Sequence, residues 1–304
     1  MKTLIKKAVD LLAVKVARKV KKNDDEIMLL GKIAGNQNQE RQSKIIKNIQ
    51  NAEFKVFSQF GDDGIIQFLV DYLDIKEKTF IEFGVEDYKE SNTRYLMMNN
   101  NWKGLVMDGS EERVKKIVGA EYYWKHDLTA KKLFVDEDNI NDFIKENGFS
   151  GKIGLLHIDI DGNDYWIWKK INIVDPTIVI MEYNSVFGID KAWTIPYDKN
   201  FYRTNANENN LYWGCSLLSL CDLAEKKGYC FIGTNSAGNN SYFIKKGKEK
   251  ELKSLRAEEG YTLSKYRESR DANGGLTLIS GENRLKALKG CEIYNTRTRQ
   301  LEKI

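Results

Sequence analysis

From about Glu53 onward, short apolar runs alternate with segments whose apolar residues recur every three to four positions. Thr79–Gly84 (TFIEFG), Gly104–Gly109 (GLVMDG), Ile153–Asp159 (IGLLHID) and Thr177–Glu182 (TIVIME) read as buried strands. Ile65–Leu73, Ser91–Asn100, Glu111–Val118, Tyr165–Ile171 and Leu217–Lys227 read as helices, with Ser91 or Asn92 as a cap. Apolar strands separated by helices predict a parallel sheet covered on both faces. Tyr229–Gly233 and Ser241–Lys245, joined by the turn-rich Thr234–Asn240, predict a hairpin, so that the sheet ends antiparallel.

Two flanking regions follow a different pattern. Over residues 3–22, Ile5, Ala8, Val9, Leu12, Val16 and Val20 share one helical stripe, and Lys6, Lys7, Lys15, Arg18, Lys21 and Lys22 lie mainly opposite. This predicts an amphipathic helix, either lying on an anionic membrane surface or packing on the body or a second subunit. Asn23, Asp24 and Asp25 cap a second helix carrying Ile27, Leu29, Leu30 and Ile33, and residues 35–50 are polar. The expected organisation is a helical extension over 1–52, a main domain over 53–247 and a helical or irregular extension over 248–304.

Charge sharpens this division. The chain of 304 residues has a net charge of +4. Residues 1–22 carry eight Lys/Arg against one Asp, and residues 245–304 carry fifteen Lys/Arg against nine Asp/Glu. The middle is therefore acidic, which argues against a nucleic-acid partner. Four cysteines without CxxC spacing read as reduced thiols in a cytoplasmic protein. No run approaches the length of a membrane span, and no signal peptide is evident.

In a parallel sheet, ligands bind beyond the carboxyl ends of the strands. Here four strand ends carry carboxylates: Glu82 with Gly84, Asp108 with Ser110, His157 with Asp159 and Asp161, and Glu182 with Asn184. Asp108, ending the second strand, is placed to accept hydrogen bonds from ribose hydroxyls. GxGxxG and GxxxxGK[ST] are both absent. Glu86, Asp87 and Glu90 would face a pyrophosphate, which disfavours NAD and ATP and suits S-adenosylmethionine, a ribose-bearing cation without phosphate.

With these features the chain resembles the class I S-adenosylmethionine-dependent methyltransferases, on Glu82, Gly84, Asp108 and the final hairpin. Within them it is most similar to FkbM-like enzymes of a bacterial branch associated with surface-glycan gene clusters. Four segments carry that similarity: Phe57-Ser58-Gln59-Phe60-Gly61-Asp62-Asp63-Gly64, Ser91-Asn92-Thr93, Asp159-Ile160-Asp161-Gly162-Asn163-Asp164-Tyr165-Trp166 and Glu182-Tyr183-Asn184. The resemblance covers about 53–245. It implies an α/β, Rossmann-like, doubly wound and mostly parallel seven-stranded sheet with an antiparallel last strand. It also implies methyl transfer to a hydroxyl of a surface glycan or sugar-phosphate precursor, at the inner face of the membrane if residues 1–22 bind lipid. Gln59, Glu82, Gly84, Ser91, Asn92, Asp108 and Ser110 would hold the cofactor.

Asp159, Asp161 and Asp164 repel one another unless capped, solvated or bound to a cation. Catechol-type methyltransferases suggest a Mg²⁺ on Asp159, Glu182 and Asn184; a metal-free acid–base cluster remains open, with Asp159 or Asp161 as base and His157 behind them. The long aromatic stretch 185–213 suits a sugar, with Tyr197, Arg203 and Asn184 as acceptor contacts. Two other readings stay open: a non-catalytic glycan- or partner-binding module on a degenerate methyltransferase fold, and a Mg-dependent nucleotide-sugar transferase.

Overall fold

A computed structural model of the chain describes residues 24–304. The amphipathic helix expected over 3–22 lies outside the described residues. Among the described residues, no helix is long and apolar enough to cross a membrane.

Among the described residues ten strands occur: β1 Thr79–Phe83, β2 Lys103–Asp108, β3 Leu128–Lys132, β4 Gly151–Ile158, β5 Val174–Glu182, β6 Trp193–Thr194, β7 Tyr229–Thr234, β8 Asn240–Lys245, β9 Glu292–Asn295 and β10 Gln300–Lys303. Seven of them form one sheet in the order β3-β2-β1-β4-β5-β8-β7. β3, β2, β1, β4 and β5 are parallel, and β8 is antiparallel to both β5 and β7. This is the expected Rossmann-like, mostly parallel seven-stranded sheet with its last strand reversed. The hairpin does not simply close the edge, however. Its second strand inserts between β5 and β7, which leaves β7 outermost.

The sheet is buried on both faces, which explains why its strands read as apolar runs. Ile81, Phe83, Leu105, Met107, Leu156 and Val179 face one core, which includes Trp168 and the helix Leu217–Lys227. Phe80, Val106, Leu155, Ile178 and Ile180 face the other, built on the helix Asp62–Leu73. Ile45, Ile49 and Ala52 are buried in this second core, so the chain docks on the sheet before residue 53.

The sequence pattern missed β3. Only Leu128 and Ala130 of its five residues are buried, and Lys131 and Lys132 are exposed. A short edge strand ending in lysines has a weak apolar signal and resists pairing with other chains. The pattern also missed a second, three-stranded sheet in the order β10-β9-β6. Through it the C-terminal stretch, expected to be helical or irregular, packs on the 185–213 excursion. Phe187, Trp193, Ile195, Leu211, Leu288 and Ile293 share a small core there. This unit stands beside the carboxyl ends of β4 and β5 and supplies one wall of the cleft above them.

Candidate functional site

The order of the sheet reverses between β1 and β4, and a cleft opens above that point. One part, about 370 Å³, is lined by Gln59, Ser91, Asn92, His157, Asp159 and Glu182 among others. A second part, about 480 Å³, is lined by Asp108, Ser110, Arg113, Leu133, Phe134 and Val135. Gly84, Glu86, Asp159, Asp161 and Arg203 line both, so the two parts are continuous.

Glu82 closes the floor at β1. It is 2% exposed. Oε1 accepts from the Asn92 amide at 3.0 Å and pairs with His157 Nδ1 at 3.0 Å. Oε2 accepts from Ser91 Oγ at 2.7 Å, from the Thr93 amide at 3.3 Å and from Thr93 Oγ1. Burial alone would raise its pKa, but the His157, Thr93 and Ser91 hydrogen bonds outweigh burial and hold it below the usual carboxylate range. For His157, burial opposes protonation, yet the Glu82 hydrogen bond and the charges of Glu82 and Asp159 push its pKa up. His157 Nε2 lies 3.1 Å from Asn92 Nδ2. Glu82 thus ties the Ser91–Thr93 turn to β4, and its own oxygens are fully engaged inside the protein.

Gly84 follows with φ +71°, and a Cβ there would overlap the Asp159 carbonyl oxygen. The ends of β1 and β4 touch through backbone alone, which requires glycine at this position. Asp108 is 5% exposed and accepts from the Glu86 amide at 3.0 Å and the Ser110 amide at 2.7 Å. Arg113 Nη1 also reaches Asp108 Oδ2, at 3.5 Å, and these three partners still leave the carboxylate a lone pair on Oδ1 for a ribose hydroxyl. Ser110 Oγ caps the helix Glu111–Val118 by accepting from the Arg113 amide. Phe134 is 48% exposed beside Asp108 and offers an apolar shelf.

At the β4 end, the aspartates divide by role. Asp164 is fully buried, and accepts from the Ile160 amide at 2.8 Å and the Gly162 amide at 2.9 Å. It therefore shapes the turn. Asp161 sits on that turn with φ +55° and pairs with Arg203. Oxygens of Asp159, Asp161 and Glu182 lie within 4.8 Å of one another. Burial first, then the charge of neighbouring carboxylates, pushes both pKa values up: Asp161 acts on Asp159, carrying it to about 7, and Asp159 acts on Glu182.

Several expected residues sit elsewhere. Asn184 is buried, with Nδ2 donating to the Leu211 carbonyl at 2.9 Å and the Trp213 carbonyl at 3.0 Å. Its Oδ1 accepts from the Val186 amide at 3.0 Å. Asp159, Glu182 and Asn184 therefore do not assemble as a metal triad, because Asn184 is committed to anchoring the 185–213 excursion. Tyr197 packs on Trp166, and its hydroxyl accepts from the Glu137 amide, outside both parts of the cleft. Arg203 does line the cleft, held by Asp161 and, at 2.6 Å, by Glu268. Its guanidinium lies 4.6 Å over the Trp213 ring.

Of the other cleft residues, Tyr266 and Glu268 carried no sequence signal, whereas Phe60 lies in the segment 57–64 and Asn240 ends the turn-rich Thr234–Asn240 loop. Phe60 and Tyr266 stack at 5.8 Å, and both line the cleft with Glu268 and Asn240. The conspicuous Asp62-Asp63 pair proves architectural. Asp63 Oδ2 accepts from the Val56, Phe57 and Ser58 amides at 2.7, 2.9 and 2.7 Å. Asp62 receives Asn235, Asn240 and Tyr242, which locks the loop bearing Gln59 onto β7 and β8.

The strand order, with a reversed strand beside β5 and a cleft over the β1/β4 switch, defines the Rossmann-like fold of class I methyltransferases. No family model matches the sequence, and no curated protein does. Among solved structures, an O-methyltransferase from Bacillus cereus in complex with S-adenosylhomocysteine is similar, with a TM-score of 0.42 at 12% identity, over 70% of this chain and 90% of that one. An S-adenosylmethionine-dependent methyltransferase from Clostridium acetobutylicum gives 0.41 at 10% identity, over 69% and 99%. Likeness at this level concerns the path of the chain, and the fold assignment rests on the strand order itself.

Proposed function

We propose that this protein is an S-adenosylmethionine-dependent methyltransferase acting on a hydroxyl-bearing acceptor, of the kind found in bacterial surface glycans. The observation that supports this best is the continuous cleft with Asp108 and its apolar shelf on one side of Gly84 and the Asp159–Glu182 pair on the other. The residues suit the cofactor. Asp108 has acceptor capacity for a ribose, Leu133 and Phe134 offer a face for an adenine, and Gly84 lets the ligand approach backbone. Ser91, Asn92 and Gln59 wall the methionyl end. When bound, S-adenosylmethionine supplies an electrophilic methyl group on a sulfonium.

The chain's own residues then orient the acceptor and move its proton. Asp159, half-buried and raised toward neutrality, is the base at the acceptor oxygen. His157, sealed between Glu82 and Asn92, is a positioning residue. The acidity of the acceptor end disfavours a sugar phosphate. Contact of residues 1–22 with anionic membranes belongs to the same proposal. Its support is their charge together with Leu29, Leu30 and Ile33, which lie exposed on the helix that follows.

Calorimetry with S-adenosylhomocysteine tests the reading. The wild type is expected to bind, and Asp108→Ala to bind at least tenfold more weakly, about 1.4 kcal/mol. A wild type that ignores S-adenosylhomocysteine but is stabilised by a UDP-sugar would move the protein to the nucleotide-sugar transferases.

A further inference from the structure

The acceptor end of the cleft holds two oxygens that lack hydrogen-bond donors. Glu182, 8% exposed, leaves Oε2 buried and unpartnered. Asn240, 3% exposed, leaves Oδ1 in the same state, because its Nδ2 is taken by Asp62. The two residues are register partners on neighbouring antiparallel strands, β5 and β8, and both line the cleft. Asp159 stands on the other side of Glu182, with carboxylate oxygens of the two within 4.8 Å. A buried acceptor without a donor costs about 1–3 kcal/mol, and more when charged. Two such oxygens beside the Asp159 carboxylate describe the floor of a subsite for a group that donates.

The surrounding charge narrows the group. Glu90, Asp161 and Glu268 line the same part of the cleft, where Arg203 is the one lysine or arginine among the described residues. Arg203 is already bound by Asp161 and Glu268, so it offers little to an anion. Asp161, the third carboxylate beside Asp159 and Glu182, is already occupied by Arg203, which leaves a divalent cation only two of the three oxygens. The geometry points to a subsite for the ammonium group of the acceptor, formed by Glu182 and Asn240 beside the base Asp159. The methyl acceptor is accordingly an amino-substituted polyol, such as an amino sugar, rather than a phosphorylated one. This rests on the methyltransferase reading only for the order in which ligands load. The subsite is distinct from the ribose and methionyl contacts at Asp108, Ser91 and Asn92.

Saturation-transfer NMR on the full chain with S-adenosylhomocysteine tests it, using three probes: methyl glucosaminide, methyl glucoside and glucose 6-phosphate. The aminosugar is expected to give at least a fivefold stronger signal than the other two. Glu182→Gln should abolish that signal while S-adenosylhomocysteine affinity stays within twofold. The probe series on the wild type stands without the variant, should Glu182→Gln fail to fold. Equal or stronger binding of the phosphate, no binding of the aminosugar, or an aminosugar signal that survives in Glu182→Gln would each overturn the assignment. So would a rise in Tm with Mg²⁺ alone that Glu182→Gln removes, since the oxygens would then be metal ligands. A tenfold loss of S-adenosylhomocysteine affinity in Glu182→Gln would place the subsite's cation on the cofactor instead. Failure of the wild type to bind S-adenosylhomocysteine would be a failure of the methyltransferase reading, read separately by calorimetry.

Discussion

At the scale of single residues, chemically similar carboxylates at the strand ends do different work, and their partners decide which. Glu82 accepts five hydrogen bonds and belongs to the architecture. Glu182 keeps an unpartnered oxygen and faces the cleft. Glu82→Ala leaves His157 buried and the 91–93 turn untied. Breaking a buried pair in this way costs about 3–5 kcal/mol, so urea unfolding should show a loss of that order. Gly84→Ala forces a Cβ into the Asp159 carbonyl at positive φ. Overpacking and the left-handed backbone together predict a loss of about 3 kcal/mol, and S-adenosylhomocysteine binding should fall with it. A Gly84→Ala protein of wild-type stability would show that the β1 and β4 ends separate easily.

At the scale of elements, a second sheet ties the C-terminal stretch to the 185–213 excursion. β6 comes from the 185–213 excursion, and β9 and β10 come from the C-terminus. They meet over Ile293 and Trp193, in a small core shared with Leu211 and Leu288. Ile293→Asp places an unpaired charge in that small core. The expected result is a Tm lower by several degrees, with S-adenosylhomocysteine affinity nearly unchanged, because Asp108 and Gly84 stand on the other sheet. A collapse of S-adenosylhomocysteine binding that tracks the lost Tm would mean that the two sheets are not separable in this way. For the N-terminal extension, sedimentation with phosphatidylserine vesicles should capture the full chain at low salt and not a chain lacking residues 1–22.

At the scale of the whole molecule, buried acids set the pH dependence. Burial pushes Asp63 and Asp164 up to about 6, and the Asp159–Glu182 pair is raised as well. A raised acid binds its proton more tightly when folded, so stability grows as pH falls through the folded pKa toward the unfolded value near 3.9. His157, also raised, adds stability below its unfolded pKa near 6.5, which is lost as pH rises through the folded value. Glu82 works in the opposite sense, since its lowered pKa gives stability that is lost only as pH falls through the folded value. Together these predict a higher Tm at pH 5.5 than at pH 8. A Tm that rises steadily from pH 5.5 to 8 would contradict the burial of these groups.

Alternation of apolar runs and helical periods was sufficient for the parallel sheet, because strands covered on both faces have no polar side to disguise them. The same pattern put Glu82, Asp108, Asp159 and Glu182 at strand ends, where a parallel sheet binds its ligands. It could not find β3 or the second sheet, whose strands are only two to five residues long and whose assembly depends on a pairing between segments far apart in sequence. β6 and β9, for example, are paired through Trp193 and Asn295. Nor could it sort the carboxylates. Asp62 is held by Asn235, Asn240 and Tyr242, and Asn184 is anchored by the carbonyls of Leu211 and Trp213. Local order in the chain determined where the acids stand. Their availability depends on donors brought in from distant segments, and only the folded structure decides which oxygens those donors reach and which are left for a ligand.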